Sequence, residues 1–315
     1  MLRVRKFHEG RLQEGDEALL STPGLTWIDV EKPDEAVLRA LAERFGLHKL
    51  AVEDCLHLDQ RPKLEEYPGH QFVVLQGFTC ASGSLSDVTM HELHFFLGPE
   101  WLITVHEQAH AAIAEVDKRL KADPTGTLGR GVDFVAYLLA DALVDWNFPL
   151  LDQVTDAIDD LEERVFLAGP AQALMQEALA LKRTLVLVRR VLSPQRDVVG
   201  LLARHGIAHV QERTTLYFRD VYDHLVRIYE QLEAARDLIG GVVDAYLSVV
   251  ANRTADVSKQ LTIFASIFLP LSFVVGFFGQ NFDVLSGTWF FWLMLGLMVA
   301  LPSMMFWWFH RKGWL

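Results

Sequence analysis

Two uncharged apolar runs near the C-terminus, Leu261 to Phe278 (18 residues) and Trp289 to Phe309 (21 residues), constrain this chain more than any other feature. Each is close to the roughly 20 residues that carry a helix across the hydrocarbon core of a bilayer. The second run, WFFWLMLGLMVALPSMMFWWF, has no polar face with which to meet water, and its aromatic residues cluster at both ends as they do at membrane interfaces. A pair of membrane spans is therefore a better reading than a buried soluble hairpin. Between Leu261 and Phe309 the sole formal charge is Asp283, whereas the first 260 residues hold nearly all the acids and bases.

Basic residues set the expected orientation. Arg253 and Lys259 precede the first run, Arg311 and Lys312 follow the second, and the connecting loop has none. By the positive-inside rule both termini are cytoplasmic and the loop faces outward. The start, MLRVRKFHEG, lacks an apolar signal core, so the large N-terminal part is expected to stay inside and the protein to sit in the cytoplasmic membrane.

The N-terminal part changes texture along its length. From Leu25 to about Glu107, short β-rich runs (LTWIDV, QFVVLQGFT, HELHFFLG, WLITVHE) flank a helical segment at Asp34 to Phe45. After Gly131 the periodicity becomes helical, with Gly169-Pro170 separating two runs that would pair as a hairpin. From about Glu212 the pattern continues without a proline to Leu269, which predicts one long helix leading into the first span. Gly240-Gly241 within it weakens the helix and is read as a close-packing position rather than a hinge. The expected divisions are a cytoplasmic α/β domain at 1–130, a helical hairpin and stalk at 131–260, and a membrane domain at 261–315. Within the last, the spans are 261–278 and 289–309, joined by a loop at 279–288.

Several function classes drop out. A net charge of −12 argues against nucleic-acid binding and suits a protein that meets cations. Cys55 and Cys80 are too few for a disulfide framework, form no CxxC pair, and are read as packing residues. HELH, His91 to His94, spaces its histidines three apart in a strand-like run, whereas a zinc-protease helix needs four. GxSxG, GxxxxGK[ST] and GxGxxG are all missing, so an enzyme is not expected.

In the first span Ser258, Thr262, Ala265, Leu269, Ser272, Gly276 and Gly279 recur at steps of four and three, which places small or weakly polar residues along one stripe. Such stripes usually serve helix packing, and pore lining is the alternative. The stripe ends at Gln280 and Asn281, whose amides can present neutral oxygens to a hydrated ion.

These residues carry a family resemblance. GFFGQNF, a second span and the short basic end HRKGWL resemble the two-span GxN proteins, the CorA-type magnesium and cobalt channels with their ZntB-type zinc relatives. GLHKLAVEDCLHLDQRPKLEEY, Phe218 to Arg253 and Leu261 to Phe282 resemble further family blocks in the same order. The resemblance implies a funnel-shaped homopentamer with an α+β cytoplasmic domain, an α/β sandwich, followed by a long helical stalk and two C-terminal transmembrane helices. It puts the selectivity filter at Gly279, Gln280 and Asn281, with Asn281 holding a hydrated ion. The pore lining falls on Ser258, Leu261, Ala265, Leu269, Ser272 and Gly276, and regulatory cation binding on Asp220 and Asp244. Gln280 replaces the family's usual methionine, and the loop FDVLSG lacks its acidic stretch.

From Thr254 to Phe309 there is no Cys or His, so an ion is expected to pass with much of its water. The span has no titratable group for proton coupling, which favours passive conduction of Mg2+, Zn2+, Co2+ or Ni2+, with Leu261 and Leu269 closing the pore by dewetting. No permanent cofactor is expected, and the partners are other copies of the chain, membrane lipids and the cations themselves. A proton-coupled zinc transporter is the alternative within the transport class. A non-conducting membrane-anchored cation sensor or scaffold is the alternative outside it.

Overall fold

A computed structural model describes residues 1–57, 60–80, 88–167, 171–280 and 287–314, with Cys80 described in its backbone alone. The chain forms two compact units, Met1–Arg164 with Gln172–Val243, and Val165–Ala171 with Asp244–Leu315.

The first unit is built on a seven-stranded sheet of β1 (Leu2–His8), β2 (Arg11–Gly15), β3 (Leu25–Glu31), β4 (Lys63–Tyr67), β5 (His70–Cys80), β6 (Val88–Leu97) and β7 (Trp101–His106). Its order is β2-β1-β3-β7-β6-β5-β4, with β3 and β7 parallel and the other pairs antiparallel. The sheet begins earlier than the α/β run read from Leu25. β1 and β2 form a hairpin through Glu9 and Gly10, both at positive φ (48° and 79°), as a two-residue turn between right-twisted strands requires.

Two-residue periodicity divides the sheet into two covered faces. Ile28, Val30, Phe72, Val74, Phe96 and Ile103 form one core cluster with Leu38 and Leu41 of α1 (Glu35–Phe45) and Ala51 and Cys55 of α2 (Lys49–Leu56). Asp34 caps the start of α1 by accepting from the Ala36 N–H, and Gly46 ends it at φ 68°. The opposite face carries Trp27, Val73, Leu75, Leu93 and Phe95, all buried, and meets α4 (Val132–Asp145), beside which runs α3 (Ala111–Ala122).

The single apolar run after Gly131 is two helices, α4 and α5 (Phe148–Leu167). The break is made by Asn147, fully buried, whose Nδ2 donates to the carbonyls of Leu143 and Val144 while its Oδ1 accepts from the Phe78 N–H. Its side chain thus satisfies the C-terminal carbonyls of α4 and pins them to β5. Pro149, which lacks a donor, sits in the first turn of α5, where none is needed. By composition Val132–Leu167 is also apolar enough to cross a membrane, yet its most apolar stretch is 72% buried within the protein.

Helices α5, α6 (Gln172–Leu202) and the first part of α7 (Glu212–Phe278) are held by seven-residue repeats. Buried residues recur at Leu174, Ala178, Leu181, Leu185, Val188 and Leu192 on α6, and at Phe218, Val221, Leu225, Ile228, Leu232, Ala235, Ile239 and Val242 on α7. This is the spacing of coiled-coil seams. Arg189 bridges α6 to Glu233 of α7 at 2.8 Å, and Arg164 bridges α5 to Glu177 of α6 at 2.9 Å. The long helix read from Glu212 is therefore present, and it continues to Phe278.

Candidate functional site

The second unit holds the C-terminal part of α7 and α8 (Thr288–Arg311). Both are long and apolar enough to span a bilayer. Lys259 Nζ donates to the Gly313 carbonyl at 3.3 Å, which ties the start of the first span to the end of the second. Each span contains one proline, Pro270 and Pro302. Pro270 has no N–H to give to the carbonyl of Ser266, four residues earlier.

At 100° per residue the first span has two distinct sides. Ile263 and Val274, 9% and 7% exposed, share the side shielded within the chain. Ser258, Leu261, Ala265, Leu269, Ser272 and Gly276 fall on the opposite side, and all six are exposed. The residues marked as pore lining are thus brought onto one unpartnered strip that carries no charge. Helix α7 stops at Phe278, after which the Gly279 N–H bonds the Val275 carbonyl at 2.9 Å and the Gln280 N–H approaches the Phe277 carbonyl at 3.4 Å. A Cβ on Gly279 would stand 2.9 Å from the Val275 oxygen, so this turn favours glycine. Asn281, expected as the last residue of a filter, and Asp283 lie outside the described residues.

Gly240 and Gly241 do not serve close packing within the chain, because a Cβ at either would meet nothing within 4 Å. They lie just before the boundary between the units at Val243.

A second constellation lies in the first unit. Asp141 and Asp145, one helical turn apart on α4, converge with His224 on α7, and one ligand atom of each lies within 4.8 Å of the others. His224 Nδ1 stands 3.3 Å from Asp145 Oδ1 without an aligned hydrogen bond, and Nε2 is 4.0 Å from Asp220 Oδ2. Asp220 therefore joins the rim of a three-carboxylate, one-imidazole cluster, while Asp244, exposed and 24 residues further along α7, belongs to a separate position. Burial, reinforced by the negative charge of Asp145, raises the Asp141 carboxyl above its ordinary value. Phe134 of α4 meets Tyr217 of α7 edge to face at a centroid distance of 5.3 Å, and Tyr137 packs tilted against the same ring at 5.1 Å, contacts that hold the two helices together. Oxygen-rich sites of this kind suit hard divalent cations. Sequence reading found Asp220 and missed Asp141, Asp145 and His224, although Asp141/Asp145 and Asp220/His224 each show the four-residue spacing that puts two side chains on one helix face.

The sequence model of the family described as CorA-like Mg2+ transporter protein matches residues 23–311. The chain belongs to this family. Among its CorA-like relatives is the cobalt/magnesium transport protein CorA of Thermotoga maritima, 36% identical and aligned over 99% of this chain and 90% of the relative. The putative metal ion transporter YfjQ of Bacillus subtilis is 34% identical, covering 91% of this chain and 89% of its own. The solved CorA magnesium transporter of Methanocaldococcus jannaschii shares the fold, with a TM-score of 0.87 over 100% of this chain and 99% of that one, at 23% identity. The expected architecture of an α+β domain, a long helix and two apolar C-terminal helices is therefore that of a full-length CorA-like protein, and the family is one of transporters rather than enzymes.

Proposed function

We propose that this chain is one subunit of a homopentameric channel that conducts divalent cations passively through the cytoplasmic membrane, with both termini inside. The observation that carries this reading is the exposed, uncharged strip on α7 that ends at Gly279 and Gln280. A strip of small residues and leucines facing away from its own chain suits a pore shared between copies. Lipid covers the outer apolar surface of the spans. The family supports the class of cargo, since its curated relatives are named for magnesium and cobalt transport. Neutral amides at Gln280 and Asn281 hold an ion through its water, which accommodates Mg2+, Zn2+, Co2+ and Ni2+ with modest discrimination. An inside-negative potential favours entry of a divalent charge by about 4.6 kcal/mol per 100 mV. Leu261 and Leu269 are the hydrophobic closure.

Regulation is assigned to Asp220 with Asp141, Asp145 and His224. An internal cation offsets the repulsion of these carboxylates and fixes α4 against α7, favouring the closed pore. Asp244 is a second acidic stalk position available for cations.

Flux into proteoliposomes under an imposed inside-negative potential tests the reading, with the four metals compared in parallel and a pH dye inside. Flux of several divalents, reduced to background by Asn281→Ala and without pH change, is expected. Zinc flux coupled to proton movement would replace the passive mechanism, and absence of all flux would make the chain a sensor or scaffold. Asp220→Ala is expected to remove the inhibition of flux by internal cation; unchanged inhibition would sink the regulatory assignment.

A further inference from the structure

The HELH run has a second reading in three dimensions. Alternate residues of β6 face the same side of the sheet, so Glu92 and His94 turn toward the layer formed by α1 and α2. There Cys55, in the last turn of α2, places its Sγ 3.3 Å from His94 Nδ1. On the far side of the ring, His94 Nε2 lies 3.1 Å from Glu92 Oε2. Glu92 Oε1 accepts from the Gln60 N–H at 3.0 Å and from Gln76 Nε2 at 3.3 Å. With Nε2–H donated to the carboxylate, Nδ1 is left as the acceptor that faces the sulfur. The Glu92 and His94 side chains are 8% and 4% exposed, and Cys55 is 5% exposed. Beside them opens a cavity of about 320 Å³, also lined by Lys32, His106 and Glu107.

We propose that Cys55 and His94, oriented by Glu92, form a binding site for a borderline-soft transition-metal ion of the zinc and cobalt class. Thiolate and imidazole select such ions, whereas magnesium takes oxygen ligands. A sulfur and a nitrogen bound to one tetrahedral ion, at about 2.3 and 2.0 Å, stand about 3.5 Å apart. The observed 3.3 Å contact is within a few tenths of an ångström of that separation, and an ion enters as the imidazole turns its Nδ1 lone pair off the line to the sulfur. A carboxylate on the remote ring nitrogen is the arrangement that fixes the tautomer of metal-binding histidines. His106 is not a ligand, because Nε2 is engaged by Asp29 at 3.0 Å and Nδ1 by the Gln108 carbonyl at 2.6 Å. The cavity gives room for water, and the exposed carboxylate of Glu107 stands on its wall.

Binding replaces the thiol proton by the metal and releases one proton to solvent. Burial and the neighbouring Asp54 raise the Cys55 thiol, so the empty site is a thiol and occupancy falls as the pH is lowered. The site shares no ligand with the Asp141 cluster and lies outside the pore, so it stands or falls independently of conduction.

Cobalt is the probe, added to the full chain in detergent under reducing, oxygen-free conditions. A thiolate-to-cobalt charge-transfer absorption that rises to saturation with added cobalt is expected, and this measurement needs no substitution. The chain has two cysteines, so retention of the band in Cys80→Ser assigns it to Cys55. The band is expected to vanish in Cys55→Ser, to need at least tenfold more cobalt in Glu92→Gln, and to be unchanged in Asp141→Asn. Absence of a thiolate band in the unsubstituted protein, its loss in Cys80→Ser, or its persistence in Cys55→Ser would each overturn the site.

Discussion

In the first unit Trp27, Phe72 and Phe96 are 0% exposed, whereas in the second Leu261, Leu269 and Trp292 are 68%, 73% and 66% exposed. The same residue types meet opposite fates. The sheet, α1, α2 and α4 close a core within one chain, so the first unit gains its hydrophobic stabilisation from its own contacts. The second leaves its apolar surface exposed, and in the proposed assembly lipid and other copies cover it, since the hydrocarbon core of a bilayer is as apolar as leucine itself. Charge divides the units as well. The first unit brings the carboxylates of Asp141 and Asp145 together beside His224, while the strip on α7 offers only apolar and weakly polar groups.

The sharpest way to break this comparison is to truncate an aromatic residue in each unit. Phe72→Ala is expected to cost about 3–5 kcal/mol, as large core deletions do. Trp292→Ala in α8 is expected to stay within about 1 kcal/mol, since detergent or lipid fills the space. Denaturant unfolding of the full chain in detergent measures both, and equal losses would mean that the second unit packs its own core.

A smaller effect concerns pH. Because the Asp141 carboxyl is raised above its ordinary value, the folded chain favours its protonated form, and stability without cation declines as the pH rises from the ordinary value through the raised one. A cation needs the ionised form, so its affinity falls on acidification. Asp141→Asn is expected to weaken magnesium binding in calorimetry and to flatten its acid dependence. An unaltered profile would remove Asp141 from the cluster.

The smallest expected change is at Gly241, where an added methyl meets nothing. Gly241→Ala should stabilise α7 by up to about 1 kcal/mol. If flux is unaffected the glycine pair is a tolerated weakness. If flux falls while stability rises, the pair is a working hinge.

The membrane spans, the long helix and the family were legible because their signals are local: charge-free length, unbroken periodicity and GFFGQNF. The β1–β2 hairpin was not, because its buried positions include Arg5 and Lys6, 2% exposed each. Arg5 pairs with Asp117 and lies over Trp27, and Lys6 Nζ donates to the Leu19 carbonyl, so charge there does not mean solvent. The cation cluster escaped for a different reason. Asp145 and His224 are 79 positions apart, and only the packing of α4 on α7 brings them together. The break at Asn147 was hidden likewise, since its cause is a bond to the backbone of β5.

Pro270 and Pro302 give the two spans a mechanical character that a list of lining residues does not convey. Each removes one rung from the hydrogen-bond ladder of its helix, and a ladder with a missing rung has a compliant point where bending costs least. In the first span that point lies directly after Leu269 and before Ser272, Gly276 and the terminal amides. The C-terminal part of the span, nearly half of it, can therefore flex as a short lever while the part bearing Leu261 and Ala265 stays stiff.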